Sequence, residues 1–379
     1  MKRLLFSDLF KFEKKSTVKA GEGRNEGKYP FYTSSSKLSK RIDDFLFDKP
    51  ALIFGTGGQA SVHYSKEKFS VSTDCLVASP IESSKVDSAF VYYYLFGNLT
   101  ILEEGFKGAG LKHISKSYIS EIEIPLPPLE TQKKIAAILD KADELRQNDK
   151  KILEKYDQLA QSVFLDMFGD PVRNEKGWEV KTIEELAQKS KWAIKRGPFG
   201  GALKKEIFVD DGYLVYEQFH ALNNDFTFER YYIDESKFQE LKAFEVKPKD
   251  IIISCSGVYL GKLAIIPENA KRGIINQALL KITLNENIMR NEFFVSHFSY
   301  KNFKEKYFES NRGAGIPNLP PMSEFKKFPF ITPPISEQVR FYDILQNIEK
   351  QRLISIQSLQ KSEDLFQSLL QRAFKGELV

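Results

Sequence analysis

Residues 127–132 read PPLETQ, and residues 333–338 read PPISEQ. Setting Pro127 on Pro333 aligns the later landmarks without a gap: Leu129 on Ile335, Gln132 on Gln338, Leu139 on Leu345 and Phe168 on Phe374. A helix is expected after each Pro-Pro pair, because proline suits a helix start and is excluded from a helix interior. In the first copy Ile135, Ile138, Ala142, Leu145, Ile152, Tyr156, Leu159 and Val163 follow heptad-like spacing, interrupted by Asp149, and predict a coiled-coil seam. A helix from Glu130 to Phe168, ended by Gly169 and Pro171, would be roughly 60 Å long at its standard rise. The second stripe is rougher: Phe341, Leu345, Ile348, Ile356, Leu359, Phe366, Leu369 and Phe374, with polar gaps around Arg352 and Ser355 and with Ser336 as the expected N-cap. Neither helix can bury such a stripe alone, so antiparallel packing of one on the other is expected.

The repeat extends upstream. Lys107-Gly-Ala-Gly-Leu-Lys-His-Ile114 returns as Arg312-Gly-Ala-Gly-Ile-Pro-Asn-Leu319, and the aromatic stretches 89–98 and 292–302 occupy matching places as short helices. The strand-like run ALIFGTGG (51–58) answers DIIISCSG (250–257), and STDCLVAS (72–79) answers INQALLKIT (275–283). The chain therefore reads as unit, helix, unit, helix. The expected class is α+β: two mixed α/β domains separated by two long antiparallel coiled-coil helices, with an internal pseudo-two-fold repeat. The expected boundaries are 1–126, 127–171, 172–332 and 333–379.

Composition narrows the function. No window approaches the roughly 18 apolar residues of a membrane span, and the opening MKRLLFSDLF is too short in its apolar run for a secretory signal, so a cytoplasmic location is expected. Cys75 and Cys255 cannot supply a disulfide framework or a four-ligand zinc site and read as buried thiols. The net charge is +5, and the excess of basic over acidic side chains lies wholly in segments 1–124 and 176–331, outside the helical repeats. That division suits nucleic-acid binding by the former and protein packing by the latter.

GTGGQA at Gly55–Ala60 matches the permissive dinucleotide fingerprint, but Val62, Tyr64, Phe69 and Val71 recur as a strand where that fingerprint needs a helix. A glycine hairpin is the expected reading. The string Asn318-Leu-Pro-Pro-Met322 lacks the aromatic of an adenine methyltransferase loop, and the four histidines His63, His113, His220 and His297 show no metal-ligand spacing. No catalytic residue and no metal site is expected. What remains are loops rich in Gly, Lys, Arg, Gln, Asn and hydroxyl side chains on strand scaffolds. The candidate DNA contacts are Tyr32, Thr33, Ser34, Ser35, Lys37, Thr56, Gly57, Gln59, Lys107, Lys112 and His113 in the first unit. In the second they are Lys195, Arg196, Lys204, Lys205, Gln218, His220, Ser256, Arg312 and Asn318. Arg and Lys can engage phosphates or guanine, Gln and Asn can read adenine, and hydroxyls serve either.

The duplicated Pro127-Pro-Leu-Glu-Thr-Gln132 and Pro333-Pro-Ile-Ser-Glu-Gln338 helices, running to Phe168-Gly169-Asp170-Pro171 and Phe374-Lys-Gly-Glu-Leu378, together with Tyr29-Pro-Phe-Tyr-Thr-Ser34, resemble the specificity subunits of type I restriction-modification systems over essentially the whole length. The resemblance implies two target recognition domains, each reading one half of a split double-stranded DNA site, and paired helices that act as spacer. It implies that the helices hold two modification subunits carrying S-adenosylmethionine chemistry, and that the assembly recruits ATP-dependent restriction subunits. S-adenosylmethionine, ATP and magnesium would thus reside in partners, and this chain would be a non-catalytic specificity subunit that binds no cofactor itself. Ile135, Ile138, Ala142, Leu145, Ile152, Tyr156, Leu159, Phe341, Leu345, Ile348, Leu359 and Phe366 are the expected spacer and interface residues. Two rivals stand beside this reading: a self-contained methyltransferase or nuclease with degenerate motifs, and a coiled-coil scaffold that binds only protein.

Overall fold

The computed structural model describes residues 2–108, 110–308 and 317–378. The chain divides into two compact units, residues 1–153 with 354–379 and residues 154–353. The long helices are continuous, Leu129–Phe168 over 40 residues and Ile335–Lys375 over 41. Each therefore starts in the unit whose globular segment precedes it and ends in the other.

In the first unit, strands Phe10–Phe12, Ala51–Gly55, Val62–Ser65 and Cys75–Pro80 form one sheet, with Cys75–Pro80 and Ala51–Gly55 central and antiparallel. A second sheet is built from Tyr29–Tyr32, Lys40–Ile42 and Ser70–Val71. Tyr32, Ile53, Phe69, Val71 and Val77 fill one core cluster. On the other side Leu52, Phe54 and Ala78 pack with helix Ser88–Gly97 and with both long helices, whose Ile135, Leu139, Phe366, Leu370 and Ala373 complete the main core. Arg3–Leu5 pairs with Glu123–Pro125, so the start of the unit is tied to the strand that feeds the long helix.

The second unit repeats this construction with different side chains. Ile194–Arg196, Ile251–Ser254, Leu263–Ile265 and Leu279–Ile282 form one sheet, while Tyr213–Tyr216, Tyr232–Ile233, Glu245–Val246 and Gly273–Ile275 form another. Val180–Thr182 pairs with Pro329–Ile331 in the place of the first unit's tie. Phe168 stacks edge-on against Phe293 at 4.7 Å, matching Phe374 beside Phe90 at 5.5 Å in the first unit. The repeated phenylalanine thus closes the core of the unit in which its helix ends.

The two helices run antiparallel within each unit. In the first, Arg146 lies over the Phe366 ring at 4.3 Å and Lys150 pairs with Glu363 at 2.7 Å, so rising numbers meet falling ones. In the second, Asp157 accepts from Arg352 at 3.2 Å and Phe164 meets Phe341 at 5.6 Å. The seam differs in phase from the sequence expectation. Ile135, Ala142, Phe341 and Phe366 are buried, and Ile138, Tyr156, Leu345, Ile348 and Leu359 are half-buried. Leu145, Ile152, Leu159 and Ile356 instead face solvent, each more than 40% exposed. Their places are taken by Leu139, Arg146, Asp149 and Leu153 on the first helix and by Arg352 and Ser355 on the second. The apparent polar gaps are thus seam positions. Each helix carries more apolar positions than one seam holds, and the inward row includes Phe366, whose ring lies under Arg146 at 4.3 Å. Ser336 is not an N-cap: the helix begins at Ile335, and the Pro334 carbonyl accepts from the Glu337 and Gln338 amides at 3.0 and 3.2 Å.

The glutamine that ends each Pro-Pro motif is wholly buried. Gln132 accepts from the Asp87 amide at 2.9 Å and donates to the Pro127 and Lys85 carbonyls at 2.8 and 3.4 Å. Gln338 accepts from the Arg290 amide at 2.8 Å and donates to the Pro333 and Ile288 carbonyls at 2.8 and 3.1 Å. Asp87 and Arg290 are the N-cap residues of the two matching domain helices. One amide thus pins the start of each long helix to the start of a domain helix. Gln132→Leu preserves an apolar fit but strands buried backbone groups, and is expected to cost about 1–3 kcal/mol. Urea unfolding, with amide exchange read at residues 85–91, checks this; unchanged stability and unchanged exchange there would refute the pinning role.

Candidate nucleic-acid interface

The same loop pair is built at the same place in both units. In the first, the turn after Ala51–Gly55 crosses the 107–113 loop: Gly57 bridges His113, and the Ile114 amide donates to the Thr56 carbonyl at 3.2 Å. In the second, Ser256 bridges Asn318, and the Leu319 amide donates to the Cys255 carbonyl at 2.9 Å. Gly58 and Gly257 take matching positive φ values of 82° and 79°, which side-chain-bearing residues avoid. GTGGQA is therefore a turn between antiparallel strands, as the strand pattern after it required.

Around the first turn, three of the candidate loops meet. The Thr56 hydroxyl donates to the Asp74 carbonyl at 3.0 Å, and His113 Nδ1 donates to the Thr56 carbonyl at 3.0 Å. Lys107 and His113 exchange backbone hydrogen bonds of 3.0 and 3.1 Å. The Ser61 hydroxyl donates to the Ser34 carbonyl at 3.3 Å, and His63 Nε2 to the Ser35 carbonyl at 2.9 Å. Burial holds the His63 ring below its ordinary pKa, opposed by that backbone bond. Gly55 is required here because a Cβ would lie 2.9 Å from the Ser34 backbone. Ser35, Lys37, Gln59, Lys107, Lys112 and His113 are exposed, with Thr33, Ser34, Thr56 and Gly57 half-buried among them. Tyr32 does not join them: its ring is buried against Phe69 and His63, so it supports the loop from beneath.

In the second unit Gln218, Ser256, Asn318 and Arg196 form one connected network. Gln218 Nε2 donates to the Ser254 hydroxyl at 2.6 Å and to the Ser256 carbonyl at 2.7 Å, and Arg196 Nη2 donates to Asn318 Oδ1 at 2.9 Å. Lys204 and Lys205 are exposed nearby in sequence, and Lys195 lies over the Phe244 ring at 5.0 Å. His220 is a correction. It sits in helix Gln218–Asn223, fully buried, and is bonded through its two ring nitrogens to Glu217 and Phe228, so it cannot touch a ligand. Arg312 falls outside the described residues. Both cysteines are buried, and desolvation raises their thiols to about 11 for Cys75 and about 12 for Cys255, which makes them inert packing groups.

Sequence reading missed Lys262 and Lys304. Lys262 follows the Ser256–Gly261 turn, and Lys304 lies on helix Lys301–Phe308. Burial first, then the charge of Lys262, lowers Lys304 to about 8, and neither lysine forms an ion pair among the described residues. No local motif announces their proximity, since the two residues lie far apart in sequence.

Residues 5–156 and 175–364 match the family model described as the type I restriction modification DNA specificity domain. The chain belongs to this family. It is 23% identical over 305 residues to the type I restriction enzyme MjaIX specificity subunit of Methanocaldococcus jannaschii, covering 76% of this chain and 68% of that one. With the EcoDI specificity subunit of Escherichia coli it shares 31% identity over 121 residues, 32% of this chain and 26% of the relative. The fold matches the crystal structure of a type I restriction-modification system S subunit from M. genitalium with a TM-score of 0.60 at 19% identity, over 98% of this chain and 95% of that one. The specificity subunit therefore acts in DNA recognition within a type I restriction-modification system. Among the described residues no group of His, Cys, Asp and Glu could hold a metal ion, and no helix is long and apolar enough to cross a membrane.

The lysine pair gives a pH test. Lys304 carries its charge below about 8 and loses it as pH rises through that value. A bound phosphate favours the charged form, so DNA affinity should fall between pH 7 and pH 9, and Lys304→Met should flatten that part of the profile. An unchanged slope in the variant, measured by fluorescence anisotropy at fixed salt, would remove Lys304 from the interface.

Proposed function

We propose that this subunit selects a bipartite, asymmetric double-stranded DNA site, each unit reading one half through its crossed loop pair. The observation that carries this is the same backbone construction bearing different side chains at matched positions: exposed His113 bridges the turn in one unit and exposed Asn318 in the other. Equal scaffolds with unequal contact groups suit two half-sites of different sequence. The chain supplies selection and no reaction of its own. Two modification subunits carry the S-adenosylmethionine chemistry and dock along the helices, where Leu145, Ile152, Leu159, Leu353 and Ile354 are exposed. ATP and magnesium serve the restriction subunits.

In this reading the continuous helices fix the number of unread base pairs. Removing residues 147–153 and 353–359, matched heptads of the repeat, keeps the seam in phase while shortening each helix by roughly 10 Å, about three base pairs. Methylation mapping with the shortened subunit should return both half-sites unchanged with a gap about three base pairs shorter. Retention of the original gap would rule out the spacer role.

A further inference from the structure

At one place in the packed core the two copies of the repeat differ in volume. The Gln132 and Gln338 anchors bind the Asp87 and Arg290 amides, and in that alignment Tyr93 and Phe96 of the first unit's domain helix correspond to Ser296 and Ser299. On the long helices Phe366 corresponds to Ala160. In the first unit the three aromatics pack together: Phe366 is wholly buried, with its ring 6.1 Å from those of both Tyr93 and Phe96. Arg146 lies over Phe366 at 4.3 Å and over Phe96 at 5.9 Å. In the second unit all three positions hold small side chains, and a pocket of about 300 Å³ stands there instead, walled by Ala160, Phe164, Ser296, Ser299 and Tyr300. Arg352, the counterpart of Arg146, bonds to Asp157 at 3.2 Å and Glu349 at 3.4 Å.

The copy that is full indicates what the empty one takes. The first unit closes this space with a phenylalanine ring, and an apolar cavity of roughly 150 Å³ is enough for benzene, so the second unit's pocket has room for one phenyl, phenol or indole ring. Phe164 and Tyr300, whose ring centres lie 6.4 Å apart, already give it aromatic walls. The Ser296 hydroxyl is committed to the Glu292 carbonyl at 2.9 Å, while Gln161, Ser299 and Lys301 are exposed. An apolar floor with exposed polar groups around it is the form of an anchor pocket at a protein interface, where buried aromatics carry much of the binding energy. Ala160, Gln161 and Phe164 belong to the long helix along which docking is proposed and follow its exposed Leu159. Resting on that docking role, we propose that the pocket receives one aromatic side chain of the modification subunit bound at the second unit. That ring completes the cluster which the first unit completes with its own Phe366. The two modification subunits thus meet unlike sites, one open and one already filled.

The test is titration calorimetry, with native mass spectrometry for stoichiometry, of the full chain against its modification subunit, as wild type, Ala160→Phe and Ser299→Phe. Each substitution restores a ring that the first unit has and fills the pocket from within. Ser299 is exposed, so its variant keeps the test open even if Ala160→Phe disturbs the fold, which thermal melting of both variants reveals. One of the two binding steps should weaken roughly 10- to 100-fold, with the other step unchanged. Equal affinities for wild type and a folded variant would overturn the proposal, as would equal weakening of both steps. Absence of any complex with the wild-type chain would instead overturn the docking role itself, and this assignment with it.

Discussion

Two buried glutamine amides hold this architecture together. Gln132 and Gln338 each satisfy one backbone donor and two backbone acceptors, joining the Pro-Pro turn to the N-terminus of a domain helix. Prolines cannot donate, so the turn leaves carbonyls that need partners, and a helix N-terminus leaves amides that need acceptors. A primary amide has both functions on one planar group and meets both needs at once.

The join matters because the reading loops lie on the same sheets against which the helices pack. Phe54 and Leu52 sit on the strand that ends in the Gly55–Gly58 turn and belong to the core that includes Ile135, Leu139 and Phe366. Ile251 and Ile253 do the same in the second unit beside Phe164, Phe168 and Phe341. Helix direction and loop position are thereby set by one packed body in each unit. The ion pairs of the seam residues Arg146 and Arg352, at partly exposed positions, add little stability, but these residues disfavour registers that would place them against apolar rows.

The repeat was legible because proline, glutamine and phenylalanine at matched offsets each have a steric or hydrogen-bonding reason to stay. The repeated loops were legible for the same reason, His113 and Asn318 falling at corresponding positions; their bridging of the preceding turn was not, because it joins segments far apart in the chain. Seam phase was not legible, since Leu145, Ile152 and Leu159 are as apolar as the residues that turn inward, and the choice between rows is made by tertiary packing against the domain cores. Burial separated Tyr32 and His220 from the exposed loop residues beside them in sequence. The proximity of Lys262 to Lys304 and the Gln218 hydrogen bonds to Ser254 and Ser256 depend on neighbours more than thirty residues away, which no local pattern encodes.

The central proposal is that two copies of one scaffold read two unlike half-sites. Mapping methylated adenines in cells with and without this subunit, its modification subunits present in both, tests it most directly. The account predicts a motif that appears only with the subunit and consists of two different short sequences flanking a gap of constant length. A contiguous motif, a palindrome or a gap of variable length would contradict it.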